Sequence, residues 1–207
     1  MTNDEVYAAG LLNRALDPAT QPPDIRAFLQ AEIDLLRDVI ANRMSVLDVG
    51  CGTGRHLAQL RDRLRLGVGV DYERTYVQEA QRRWGRGHLY FVAGDAARLP
   101  LRAQFDFGMC MTNTWGTMSD KRGVLDEMSR CVPHTGQRLI SVFAVESIPA
   151  RREWYNRFGH SVMEESAECL VTDGGLRSEH FSEGRLRGIV GDCTIRRCAG
   201  IGYIVTF

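Results

Sequence analysis

The chain carries no surplus of either charge. Lys plus Arg and Asp plus Glu stand at 26 each, for a formal net charge of +0. A protein built to track phosphates usually carries a basic excess, so no nucleic acid is expected as partner. Arg61, Arg63 and Arg65 lie close together and read as a solvated helix end rather than a binding stripe. None of the six cysteines (Cys51, Cys110, Cys131, Cys169, Cys193 and Cys198) forms a C-x-x-C pair, and no His/Cys group has zinc spacing, which speaks against a disulfide framework or a bound metal. Several of these thiols sit inside apolar runs, as buried reduced cysteines do, and imply a cytoplasmic setting. Met1 to Gly10 shows neither the basic n-region nor the apolar h-region of a secretory leader. No apolar run approaches the roughly 18 residues of a membrane span. Internal repeats and low-complexity tracts are also missing.

What is present is an ordinary globular composition. The 207 residues are 44% hydrophobic and 25% charged, enough for one domain with short additions and a core that needs no staples. After the turn-rich stretch Asp17–Pro23, residues 24–41 place Ile25, Phe28, Leu29, Ile33, Leu36, Val39 and Ile40 on one helical face, with Asp24 as N-cap. The period then changes. Ser45–Val49, Leu66–Val70, His88–Val92, Phe105–Met111 and Arg138–Val145 read as buried strands. Helical spacings lie between them, at Leu57 and Leu60, at Tyr76, Val77, Ala80 and Trp84, and at Val124 to Val132 behind a Ser119 cap. Strands alternating with helices imply βαβ units, a mostly parallel sheet and ligands outside the carboxyl ends of its strands. The last third reads differently: a helix from about Ala150 to Phe158, two arms (161–172 and 176–181) joined at Asp173-Gly174-Gly175, a Ser182-capped helix, and two final strands at 193–197 and 201–206.

The chemistry is carried by strand ends. Val46-Leu47-Asp48-Val49-Gly50-Cys51-Gly52-Thr53-Gly54 is a strand closing in an acidic residue, then three alternating glycines before a helix. Glycine is needed where backbone turns sharply or lies bare against a ligand. Asp71 ends the second strand about twenty residues on, where a carboxylate can accept both hydroxyls of a ribose. Asp95-Ala96 follows the third, where a carboxylate can take an adenine amine. A nicotinamide enzyme needs G-x-G-x-x-G to bring a pyrophosphate to the helix N-terminus. Here Arg55 stands where that third glycine should be.

On these residues, with Phe105 to Met111 and the turn Pro133-His134-Thr135-Gly136, the chain resembles the class I S-adenosylmethionine (SAM)-dependent methyltransferase family over roughly residues 44–145. The resemblance implies an α/β fold: a doubly wound, mostly parallel, seven-stranded sheet with its last strand antiparallel. It implies a domain at 44–207, with 1–43 as an N-terminal helical cap and 147–181 as a substrate-covering insertion. SAM would be the cofactor and S-adenosylhomocysteine the product. Tyr7, Asp48, Gly50, Cys51, Gly52, Asp71, Tyr72, Asp95, Ala96, Met111 and Thr112 would line its site, with Gly50 and Gly52 against the methionyl part, Asp71 on the ribose and Asp95 on the adenine amine.

Methyl transfer from a sulfonium needs orientation first, and a base only when the acceptor starts protonated. His180, His160 and Tyr155, in that order, are the candidate bases, and Asn113, Trp115 and Glu146 the candidate substrate contacts. The loop from Thr112 to Met118 lacks the paired prolines common in amino-methylating nucleic-acid enzymes. The reading is therefore transfer to an N, O or C atom of a small metabolite, by a monomer or homodimer without a membrane partner. A nucleic-acid methyltransferase and a non-catalytic SAM-binding subunit are the alternatives.

Overall fold

The computed structural model describes residues 15–17 and 19–207. Pro22 stands at the N-cap of α1 (Pro23–Val39) and no side chain caps it. The proline at its first position is pre-set for helical φ, so the expected Asp24 cap is not used. Ile25, Phe28, Leu29, Ile33 and Leu36 are buried on one face, each apolar side chain contributing about 1.5–3 kcal/mol. Glu32 is buried among them.

Five strands follow, with a helix in every connection but that from β3 to β4: β1 (Met44–Val49), α2 (Arg55–Leu60), β2 (Leu64–Asp71), α3 (Arg74–Trp84), β3 (Leu89–Ala93), β4 (Phe107–Cys110), α4 (Lys121–Cys131) and β5 (Gln137–Phe143). Asp120 caps α4, accepting from Gly123 N at 2.8 Å, in place of the expected Ser119. The chain continues through α5 (Ile148–Arg157), β6 (Val162–Glu165), β7 (Cys169–Thr172), β8 (Arg177–Glu179), α6 (Glu183–Val190), β9 (Thr194–Cys198) and β10 (Gly202–Thr206).

The main sheet has seven strands in the order β3-β2-β1-β4-β5-β10-β9. β1 to β5 are parallel, and β10 runs antiparallel to both β5 and β9. This is the doubly wound, mostly parallel architecture expected, with the antiparallel final strand one place in from the edge. Successive residues serve opposite layers: Phe107 and Met109 pack with α1, α2 and α3, whereas Cys110 packs with α4 and α6. A sheet covered on both faces needs such continuous apolar strands.

The two arms expected at 161–181 are instead a three-stranded antiparallel sheet, β6-β7-β8. Ser166 turns the first arm back on itself: its hydroxyl accepts from Cys169 N at 3.1 Å. Arg61, Arg63 and Arg65 do not share a helix end, since α2 stops at Leu60 and Arg65 lies in β2. Among the described residues no helix is long and apolar enough to cross a membrane.

Candidate active site

The strand order reverses between β1 and β4, and the ligand crevice of an open parallel sheet lies outside the strand ends at such a point. The chain opens there into a cavity of about 1120 Å³. The carboxyl ends of all five parallel strands reach its wall: Gly50, Cys51 and Gly52 after β1, Asp71 and Tyr72 after β2, Gly94 to Arg98 after β3, Met111 to Thr114 after β4, and Phe143 of β5.

The glycine loop is held from below. Gly50 N and Cys51 N donate to Val70 O at 2.7 and 3.0 Å. Asp71 Oδ2 accepts from Gly52 N at 2.7 Å, and its Oδ1 from Glu73 N at 2.9 Å. A carboxylate has about four acceptor sites, so two amides leave room for a diol. Burial raises the Asp71 pKa, and the amides of Glu73 and Gly52 oppose that rise. Asp95 is exposed on the rim and accepts from Ala97 N at 2.9 Å. The Tyr72 ring is 65% exposed beside the opening.

Asp48 lies behind this wall, 1% exposed, and neither carboxylate oxygen has a hydrogen-bond partner among the described residues. Burial drives its pKa up to about 8, Arg55 working against the rise and the charges of Asp71 and Glu32 with it. His56 Nδ1 is 3.9 Å from it. Burial, followed by the Arg55 charge, lowers the His56 pKa to about 4.

Beside the loop is a buried network absent from the expected site. Glu32 of α1 accepts from Thr112 N at 2.7 Å, from Thr112 Oγ1 at 2.8 Å and from the Ser141 hydroxyl, with Arg55 at 3.5 Å. Burial raises the Glu32 pKa, but contacts with His56, Arg55 and Ser141 outweigh it and lower it. Arg55 is its permanent counter-ion. His56 is neutral, its Nε2 accepting from Arg55 at 2.8 Å. The sequence signal was a glutamate four residues from both Phe28 and Leu36, on the face that turns inward.

The network stabilises two non-glycine residues in the left-handed region, Thr112 and Asn113, both at φ 56°. Such conformations persist only where surroundings over-determine them, and they cluster at functional sites. Asn113 is fully engaged: its Oδ1 accepts from Phe143 N at 2.9 Å, and its Nδ2 donates to Ser178 Oγ and Glu179 O, each at 3.1 Å. It is a staple between β5 and β8, with no free polar atom to offer a substrate.

The other candidates separate. Tyr155 is on the cavity wall, with Phe143, Trp154, Phe158, Leu176 and Ser178. His180, His160, Trp115 and Glu146 are not. His180 is 1% exposed and takes Arg151 at Nδ1, 3.3 Å away. Burial, then the Arg151 charge, lowers its pKa. His160 pairs with Asp173 at 3.0 Å. Trp115 is fully buried, stacked on Phe181 at 5.3 Å, with its indole N–H on Lys121 O at 3.0 Å. Glu146 binds Arg197 on the surface at 3.1 Å. Tyr7 lies outside the described residues.

These residues fit a nucleoside whose amino-acid tail lies on bare backbone. A Cβ on Gly50 would stand 2.2 Å from Thr114 Cγ2, so the loop has closed to the limit glycine allows. The carboxylates at the β2 and β3 ends, Asp71 and Asp95, suit a cationic ligand and not a pyrophosphate.

Comparison with known proteins agrees. Residues 46–136 match the family model described as a methyltransferase domain. A curated O-methyltransferase from Penicillium expansum, cnsE, is 34% identical over 110 residues, covering 50% of this chain. The match spans 39% of that protein's length. Among solved structures, the PH0226 protein of Pyrococcus horikoshii superposes with a TM-score of 0.71 at 17% identity, over 92% of this chain and 95% of that one. The Burkholderia thailandensis 1,6-didemethyltoxoflavin-N1-methyltransferase, solved with bound 1,6-didemethyltoxoflavin and S-adenosylhomocysteine, gives 0.61 at 19% identity, over 97% and 86%.

Proposed function

We propose that this chain, whose residues 46–136 match the family model described as a methyltransferase domain, is a methyltransferase of the class I SAM-dependent type that moves a methyl group from SAM to an N, O or C atom of a small molecule. The observation that carries the reading is the convergence of five strand ends on one cavity, with the glycine loop and the Asp71 and Asp95 carboxylates along one side. The bound cofactor supplies an activated methyl group on a sulfonium. The protein supplies position, which alone accounts for much of the acceleration in an in-line transfer.

Gly50 and Gly52 present backbone to the methionyl tail. Asp71 turns its remaining lone pairs to the ribose, and Asp95 and Ala96 meet the adenine. Thr112 and Met111 flank the transfer axis, held by Glu32 and Ser141. Phe143, Trp154, Tyr155, Phe158 and Leu176 enclose the acceptor and exclude water. That apolar enclosure, together with the balanced charge, favours a small metabolite over a nucleic acid. The six free cysteines, five of them buried, accord with a cytoplasmic setting.

Incubation with methyl-labelled SAM and a metabolite library, followed by mass spectrometry, tests the reading. Label in an acceptor supports it. Calorimetry that detects no uptake of SAM or S-adenosylhomocysteine by folded protein overturns it. Asp71→Ala removes both the ribose acceptor and the Gly52 N–H partner, and is expected to weaken S-adenosylhomocysteine binding by roughly tenfold to a hundredfold. Unchanged affinity in the folded variant removes Asp71 from this role.

A further inference from the structure

Arg151 is completely buried on α5, behind the acceptor half of the cavity. No carboxylate among the described residues lies within ion-pair distance of it, although the other buried charged cluster, around Glu32, is paired. A guanidinium does not give up its proton in a protein, so a full positive charge sits in the interior. Its hydrogen bonds all go to neutral groups. Nη2 donates to Ser178 O at 2.7 Å, and Nη1 approaches Ser147 Oγ at 3.5 Å and His180 Nδ1 at 3.3 Å. Nε and Nη2 both donate to Tyr155 Oη, at 3.3 and 3.2 Å. The charge is further set over the Phe143 ring at 4.9 Å and the Tyr155 ring at 5.7 Å. The neighbouring Glu179 offers it nothing, since Lys121 holds that carboxylate at 2.7 Å and Arg185 at 2.5 Å. Glu164, also on the cavity wall, is exposed on the edge strand β6. An uncompensated buried charge is costly, and a ligand that brings the opposite charge recovers that cost.

Arg151 does not itself reach the cavity; Tyr155 and Ser178 do. With two guanidinium N–H groups on its oxygen, the Tyr155 hydroxyl has its own proton left to donate. No acceptor for that proton is found among the described residues. The surrounding wall is aromatic, its rings set edge to face: Trp154 meets Phe143 at 6.3 Å, and Phe158 meets Trp154 at 5.6 Å and Tyr155 at 5.5 Å. Aromatic side chains pair with an aromatic guest by offset stacking or edge to face.

We propose that the acceptor is a flat aromatic acid, its carboxylate taken by the Tyr155 hydroxyl with the Arg151 guanidinium set behind that hydroxyl. This rests on the methyl-transfer reading and narrows its substrate class. Tyr155 then serves as a hydrogen-bond donor to the acceptor rather than as a base, and Arg151 is a positioning residue that acts through it. Charge-assisted bonds of this kind are about twice as strong as neutral ones.

The test is calorimetry on the full chain with saturating S-adenosylhomocysteine, using 1-naphthoate, its neutral amide 1-naphthamide and the cation 1-naphthylmethylammonium as probes. The naphthoate is expected to bind roughly tenfold or more tighter than the amide, and the cation weakest. Tyr155→Phe is expected to bring the naphthoate-to-amide ratio close to one, and Arg151→Lys, which keeps the charge, to retain part of it. A merely structural role for Arg151 would lower the unfolding temperature without moving this ratio. Wild-type protein that binds the amide as well as the naphthoate, or binds no naphthoate, overturns the proposal, as does a folded Tyr155→Phe variant that keeps the ratio. A titration with S-adenosylhomocysteine alone separates the two readings. Its uptake without naphthoate preference sinks only the aromatic acid, and naphthoate preference without its uptake sinks methyl transfer.

Discussion

A methyl group placed on Gly50 would meet Thr114 Cγ2 at 2.2 Å and Met118 Cε at 3.3 Å, on a residue at φ 70°. Both contacts belong to the loop after β4, so Gly50→Ala pushes apart the two strand ends that flank the crevice. Steric conflict and left-handed strain together are expected to cost about 1–3 kcal/mol. S-adenosylhomocysteine affinity should fall at least about tenfold if, as proposed, the tail of the ligand lies on that backbone. A calorimetric titration with wild-type affinity would show that the loop gives way freely. Glycine spacing and the acids at 71 and 95 were legible without a structure because chain order alone puts them at strand ends. Trp115 and His180 were not. Both have the right chemistry, but which side of a loop or strand a side chain takes depends on neighbours distant in sequence, here Phe181 and Arg151.

One side chain, Asn113, hydrogen-bonds to both the main sheet and the β6-β7-β8 sheet. Asn113 links the end of β4 to β5 through Phe143 N and to β8 through Ser178 and Glu179. Asn113→Ala leaves the Phe143 N–H buried without its side-chain acceptor and is expected to destabilise the fold by about 2–3 kcal/mol. Faster amide hydrogen exchange should concentrate in residues 162–181. Exchange that rises evenly across the chain would deny Asn113 its role as the link. Helix α1 is tied down in a comparable way, with Glu32 reaching Thr112 across the sheet end. The periodicity of α1 identified the helix and its apolar face. It did not say that the acid on that face would brace a strained loop, because the counter-ion Arg55 and the hydroxyl of Ser141 come from other elements. The hairpin read at 161–181 became three strands for a similar reason: β6 is mostly exposed and polar, so no alternating apolar pattern announces it, and only pairing with β7 defines it.

Global stability should record the two titratable groups buried under the glycine loop. Asp48 keeps its proton in the fold to about pH 8, against a starting value of 3.8. Between those limits the folded chain binds more protons than the unfolded one, so stability falls as pH rises. His56 acts in the opposite sense: neutral in the fold down to about 4, against 6.5, it makes stability fall as pH drops through that range. Above pH 6.5 only the Asp48 effect remains. The ligand-free protein is therefore expected to lose on the order of 2 kcal/mol between pH 6.5 and 8, and Asp48→Asn to flatten that slope. Denaturant titrations at several pH values check it, and a wild-type profile already flat from 6.5 to 8 would show that Asp48 is ionised in the fold. Local order determined much about this protein. Apolar runs and glycine spacing specify a doubly wound sheet, because strand and helix periods are read within a few residues, and they place the cavity-lining groups because the fold delivers strand ends to one crevice. Tertiary structure alone decided that Glu32 pairs with Arg55, that Asn113 is a staple, and that Arg151 stands behind Tyr155 with no anion beside it among the described residues. Those outcomes depend on burial and charge pairing between segments far apart in the chain, and desolvation has no value until the fold says what is taken out of water.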